Sequence, residues 1–264
     1  MIGRGVTMSV QTKPKAMKLN QILSPSFREM REALYQKSFT LYHPASMVQK
    51  SLSVDSQFCR ALVNCGYLSF GQMLHAACRY RLGASRSGRV IFWQIDNEGI
   101  PHDGKIVCYE PNCHRSKKDD EKPTWVKTLL RYRNREPKSD LELPHCLFGL
   151  HLLRESGGEV AIVEAEKTAV IMSEHFPQYI WLASGGLTEL QDFKFRPLRG
   201  RKVVLFPDTD TDGTAFKAWH RIAQEVMASP FWEGSPPIRV SGILEQKATP
   251  AQKEAKIDLI DFLF

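Results

Sequence analysis

Val203-Val204-Leu205-Phe206-Pro207-Asp208-Thr209-Asp210-Thr211-Asp212-Gly213 passes from four apolar residues straight into three alternating acids. A short apolar run bounded by a turn signal reads as a buried strand, and Pro207 ends it. Thr214 to Met227 follows with the spacing of a helix, placing Phe216, Ile222 and Val226 on one face. Upstream the same grammar recurs. Val160 to Val163 is a strand that runs into Glu164-Ala165-Glu166, and Glu166 to His175 reads as a helix. Ile180 to Ala183 is a further strand, ended by Ser184-Gly185-Gly186, and Ile238 to Ile243 suggests a fourth. Alternating strand and helix predicts an α/β protein, a small parallel sheet flanked by helices.

Two of these strands end in acids. In open parallel sheets ligands sit beyond the carboxyl ends of the strands, so the clusters at Glu164 and Asp208 are expected to converge. Close carboxylates repel one another and call for a cation between them. Mg²⁺, a hard ion that prefers oxygen, is the natural choice, with Mn²⁺ as its substitute. Asp208 and Asp210, two apart in extended chain, share a side. Lys256-Ile257-Asp258-Leu259-Ile260-Asp261 is a third acidic cluster, readable also as an amphipathic helix with exposed acids. Other chemistries for Asp208 to Thr214 fit less well. As an EF-hand loop it would carry Trp219 at position twelve in place of Glu. As the nucleophile motif of a dehalogenase-like phosphatase, Asp210-Thr211-Asp212-Gly213-Thr214 leaves only about fifty residues for the remaining motifs. An acidic turn capping the following helix leaves the acids at Glu164 unexplained.

The chain before residue 151 has a different character. Of 36 lysines and arginines, 23 lie in residues 1–150, against 13 of the 29 acids. A basic half beside a mildly acidic half suits a protein that grips phosphates with one part and holds cations with the other. Residues 1–20 read as a disordered basic tail, and residues 21–49 as one or two short helices. Asp55 to Leu82 reads as a helical pair around Gly66. Arg89 to Tyr109 is predicted as a β-hairpin turning at Asn97-Glu98-Gly99, and Arg131 to Asp140 as an exposed linker. Residues 21–150 form a smaller mixed subdomain, and residues 151–264 the α/β domain. No apolar run approaches the ~20 residues of a membrane-spanning helix. The amino terminus lacks the apolar block of a secretory signal, so the six cysteines read as reduced thiols of a cytoplasmic protein. No Cys-x-x-Cys pair is present; Cys108, Cys113 and His114, or His75 and Cys78, could at most be zinc half-sites.

Ile162-Val163-Glu164-Ala165-Glu166 and Leu205-Phe206-Pro207-Asp208-Thr209-Asp210, with Gly213 after and Ser184-Gly185-Gly186 between, resemble a TOPRIM domain, the metal-binding module of bacterial primases, topoisomerases and some nucleases. Asp258-Leu259-Ile260-Asp261 is similar to its late acidic motif. Upstream, the hairpin through Asp96-Asn97-Glu98-Gly99 and Gly104-Lys105-Ile106, then Lys122-Pro123-Thr124-Trp125 and Leu147-Phe148-Gly149-Leu150, resembles the amino-terminal half of a DnaG-type primase core and its mobile-element relatives. Ala165 and Thr168 depart from the usual Gly and Asp, and no zinc-ribbon module precedes the core in this sequence.

The resemblance implies a nucleotidyltransferase that makes short RNA primers on single-stranded DNA from ribonucleoside triphosphates, working beside a replicative helicase. Asp208 and Asp210 would hold Mg²⁺, with Glu164 as general acid/base or further ligand and Glu166, Asp212 and Asp258 as additional ligands. Nucleotidyl transfer needs positioning and charge neutralisation more than covalent help. Arg89, Lys105, Arg115, Lys117, Lys118, Lys122, Lys127 and Lys167 are the candidates for binding nucleotide and template, and Trp93 and Trp125 for stacking on bases. A TOPRIM nuclease and a non-catalytic nucleic-acid-binding accessory protein are the alternatives.

Overall fold

The computed structural model describes residues 43–135, 144–155 and 157–264. The expected basic tail and most of the expected helices of residues 21–49 lie outside the described residues, as does the stretch 136–143. Residues from Leu41 onward form one unit.

Three helices come first, α1 (Ala45–Ser51), α2 (Gln57–Asn64) and α3 (Phe70–Arg79). The last two are the expected pair. Ser56 caps α2 by accepting from the Cys59 amide, and Ser69 with Gln72 forms a reciprocal capping box on α3. Next is an antiparallel sheet in the order β1 (Gly83–Ala84), β2 (Val90–Ile95), β3 (Pro101–Val107) and β4 (Thr124–Trp125). The β2–β3 hairpin turns at residues 97–99 as the sequence leads one to expect. Side chains alternate across β2. Val90 and Phe92 face the main core, whereas Ile91, Trp93 and Ile95 face a smaller cluster with Val48, Ile106 and Val126.

Residues expected to be linker begin instead inside α4 (Val126–Asn134). Its charges mask a narrow apolar stripe, for Val126 and Leu130, one helical turn apart, pack on that smaller cluster. The helix stops at Arg135, whose φ of 55° is left-handed.

The second sheet is wholly parallel: β5 (Glu159–Val163), β6 (Tyr179–Ala183), β7 (Val203–Phe206) and β8 (Arg239–Val240), in the order β6-β5-β7-β8. Helices α5 (Glu166–His175) and α6 (Thr214–Ala228) supply the crossovers after β5 and β7. The chain is therefore a mixed α/β protein with a four-stranded parallel sheet flanked by helices, as expected. α6 buries Ala215, Trp219, Ala223 and Val226, one stripe at helical spacing, while Phe216 and Ile222 sit at its half-buried margin. β8 is shorter than expected because the chain turns at Gly242 into α7 (Ile243–Lys247). Two short helices, α8 (Pro250–Glu254) and α9 (Leu259–Leu263), close the chain.

One hydrophobic core joins both sheets. Tyr80, fully buried, donates its hydroxyl to the Trp181 carbonyl at 2.8 Å and stacks on Phe148 at 5.0 Å. Gly149 lies under this contact: at φ 82° a Cβ there would stand 2.9 Å from the Tyr80 ring and 3.1 Å from the Trp181 carbonyl. That close approach is what the Leu147-Phe148-Gly149-Leu150 segment provides. Among the described residues no helix is long and apolar enough to cross a membrane.

Candidate active site

Connections from β5 and β7 leave in opposite directions, β5 towards β6 and β7 towards β8. Their carboxyl ends therefore form a topological switch point, where diverging loops open a crevice. Val163 pairs with Phe206 in the last rung of the ladder. Glu164 and Asp208 follow this rung and line one cleft of about 400 Å³. Its far wall comes from β3 and the loop after it, through Lys105, Tyr109, His114 and Arg115.

These two acids have no cation of their own. Burial pushes the Glu164 carboxyl up to about 7; a hydrogen bond from the Asp208 backbone pulls it down, and the charges of Asp210 and Asp258 push it up again. Its Oε1 is hidden from water and makes no hydrogen bond. Asp208 is held well above the usual carboxylate range, by burial first and then by Glu164, Asp258 and Asp261, with Lys167 only partly offsetting them.

The neighbouring acids are neutralised. Lys105 Nζ reaches both oxygens of Glu166, at 3.0 and 3.2 Å, and also donates to the Gly185 carbonyl at 2.8 Å. Gly185 has φ 92°, and a Cβ there would lie 3.4 Å from Glu166 Oε1, so the Ser184-Gly185-Gly186 turn lets the backbone close over this pair. Asp258 caps α9 by accepting from the Ile260 and Asp261 amides and takes the Thr168 hydroxyl at 2.6 Å. Lys167 Nζ stands 3.8 Å from both Asp258 and Asp261. Burial lowers the Lys167 ammonium, but the two carboxylates raise it beyond the ordinary lysine value.

Several expected residues stand elsewhere. Asp210 is not in the cleft lining. Its carboxylate accepts from the Asp212, Thr214 and Ala215 amides at 3.0, 2.8 and 2.8 Å and caps α6. Burial opposes the charge, yet these amides hold the group below its ordinary range. Asp212 is exposed, with its carbonyl taking Lys217 Nζ. Arg89 donates to the Asp120 carbonyl, Lys118 pairs with Glu110 and Glu121, and Lys122 pairs with Asp119. Lys117 and Lys127 also lie outside the cleft lining. Asp258 is buried and so is not the exposed acid of an amphipathic helix. Trp93 is buried, donating to Ser51, and Trp125 stacks on His145 at 3.8 Å between ring centres. Of the named candidates, Lys105, Arg115, Glu164, Glu166, Lys167, Asp208 and Asp258 share the cleft. Tyr109 and His114 join them without having been expected there, although they flank the Cys108–Arg115 loop that sequence reading singled out.

Among the described residues no three side chains of His, Cys, Asp and Glu form a ready-made metal site. The Glu164–Asp208 pair nevertheless has the donor chemistry of a Mg²⁺ site. Mg²⁺ commonly binds through one or two carboxylates and completes its shell with water and substrate phosphates, and the orphaned Glu164 Oε1 is an oxygen without a partner.

Fold and site together define an α/β protein with an unneutralised carboxylate pair at a sheet switch point. Residues 56–209, more than half of the chain and including both acids, match a domain of unknown function, DUF6371, and the chain belongs to that family. No curated protein matches the sequence. Among solved structures, the DnaG catalytic core is similar at 13% identity and a TM-score of 0.47, over 88% of this chain and 82% of that one. The DnaG primase catalytic domain bound to ssDNA follows at 15% and 0.44, over 90% and 85%. The E. coli primase catalytic core gives 13% and 0.44, over 83% and 80%.

Proposed function

We propose that this protein is a primase-like nucleotidyltransferase of the TOPRIM type, which joins ribonucleoside triphosphates into short RNA on a single-stranded DNA template during mobile-element replication in the cytoplasm, beside a replicative helicase. One observation carries the reading: Glu164 and Asp208 meet, half-buried and without a cation, at the carboxyl ends of adjacent parallel strands. A buried carboxylate pair is costly unless something positive completes it.

Glu164 and Asp208 would hold Mg²⁺ or Mn²⁺, which when bound supplies charge neutralisation for the phosphates. With its carboxyl raised to about 7, Glu164 can exchange a proton near neutral pH and so accept one from an attacking hydroxyl. Asp210 serves by fixing the turn that presents Asp208. Exposed Arg115 and His114 offer the far wall to a phosphate backbone. In this reading the basic part of the chain, residues 21–150, grips nucleic acid, and the part from residue 151 carries the acids.

A second reading, a nucleic-acid-binding accessory protein without turnover, is favoured by the pairing of Lys105 and Lys167 with acids, which removes two cations from the cleft. The same assay separates them. With single-stranded DNA, labelled ribonucleotides and Mg²⁺ or Mn²⁺, short RNA is expected from the wild type, with a loss of at least about 100-fold in Glu164→Gln and Asp208→Asn. DNA binding with no product at either metal contradicts the catalytic reading, and DNA fragments in place of RNA identify a nuclease.

A further inference from the structure

A second cavity, of about 170 Å³, opens beside the hairpin turn. Leu147, Leu150, Phe193 and Pro197 give it apolar walls, and Cys146 and Lys194 complete one side. Nothing in the chemistry above uses Lys194. Its side chain is only 2% exposed, and its Nζ makes no hydrogen bond. The nearest carboxylate, on the half-exposed Glu189, stays 3.8 Å away. A buried donor without an acceptor is costly and rare, so this amine is placed for a partner that the chain does not supply. Burial lowers its pKa first of all, while Glu189, Cys146 and Glu166 act to raise it.

Size and charge restrict that partner. An engineered apolar cavity of about 150 Å³ holds a benzene, so the space here admits a single planar ring system. Asp96, paired with His102 at 3.0 Å, also lines the cavity and disfavours an anion. A phosphate or carboxylate would lose its hydration for a single ammonium. A neutral ring bearing an exocyclic oxygen needs only the one donor that Lys194 offers. The cavity also adjoins the cleft: His145 lines it and stacks on Trp125, which pairs in the sheet with Lys105.

We propose that the Lys194 cavity is a nucleobase subsite that takes a keto-bearing base, guanine, uracil, thymine or cytosine, through its exocyclic oxygen and rejects adenine, which has none. The choice of a nucleobase among keto-bearing rings rests on the nucleic-acid reading above. Discrimination by one buried hydrogen bond is strong because the wrong ligand leaves the donor unpaired.

The test measures binding of uridine and adenosine, which lack phosphate, to the full chain by calorimetry without divalent metal, with oligo-dT and oligo-dA in parallel. Uridine is expected to bind at least about tenfold more tightly than adenosine. The preference appears with free nucleosides if the occupant is a nucleotide, and only with oligonucleotides if it is a base of a strand. Lys194→Met should erase the preference while raising the melting temperature, because it removes the buried ammonium. Cys146→Leu, which narrows the cavity and leaves the amine, should weaken uridine binding. Equal binding of the two bases in both formats, or a preference that survives Lys194→Met, overturns the proposal. Asp208→Asn should lose RNA synthesis but keep the preference. RNA synthesis without the preference thus counts against the subsite alone, and the preference without RNA synthesis counts against the proposed function alone.

Discussion

Four acids stand around one cleft, and they divide into two pairs by their neighbours. Glu166 and Asp258 each meet a buried lysine, Lys105 at 3.0 Å and Lys167 at 3.8 Å. Glu164 and Asp208 meet chiefly each other. Residues 164 and 166 are two positions apart in the chain, yet one carboxylate is held in an ion pair and the other is pushed up to about 7. Residue type and spacing alone do not distinguish a cation-seeking acid from a structural one; the charge across the cleft does.

Breaking the neutralised pair should have the largest effect on stability. Lys105→Met leaves Glu166 buried and unpaired, a change that costs about 3–5 kcal/mol in such pairs. Denaturant unfolding should show this loss, and the double variant Lys105→Met with Glu166→Leu should recover most of it. Equal stability of the single variant and the wild type would place Lys105 among the free cations of the cleft.

The unneutralised pair should respond in the opposite sense. A carboxyl whose native pKa lies above its unfolded value binds more protons when folded, so its contribution to stability is present below about 4.5 and is lost as pH rises through about 7. Glu164→Gln should therefore stabilise the protein by about 2–3 kcal/mol at pH 8 and by little at pH 4. A melting-temperature series across pH measures this, and a variant less stable than wild type at pH 8 would mean that Glu164 has a cationic partner. A smaller loss, about 1–2 kcal/mol, is expected for Asp258→Ala, which uncaps α9 and releases the Thr168 hydroxyl.

How far the sequence could be read follows from the range of each interaction. Strands β5 and β7 were legible because four or five apolar residues stop abruptly at acids, and helix α5 because a short turn separates it from β5 and its apolar residues run on to His175. The convergence of Glu164 and Asp208 followed from the parallel topology. Asp210 was not legible in the same way. The Asp-x-Asp spacing suits both a ligand pair and a helix cap, and only the amides of residues 212, 214 and 215 decide for the cap. The role of Lys105 was hidden because its partner is 61 residues away. Helix α4 was hidden because Val126 and Leu130 are a faint apolar signal among charges. Lys194 carries no local signal at all; its interest lies in the absence of a partner in a folded environment.

Calorimetric titration of Mn²⁺ at pH 7, repeated in buffers of different ionisation enthalpy, tests most directly whether Glu164 and Asp208 form a cation site. Metal binding to carboxyls with raised pKa values must release protons. Mn²⁺ should bind the wild type with proton release, and both the binding and the release should disappear in Asp208→Asn. Mn²⁺ binding of equal strength in Asp208→Asn, or binding to the wild type without proton release, would contradict the site.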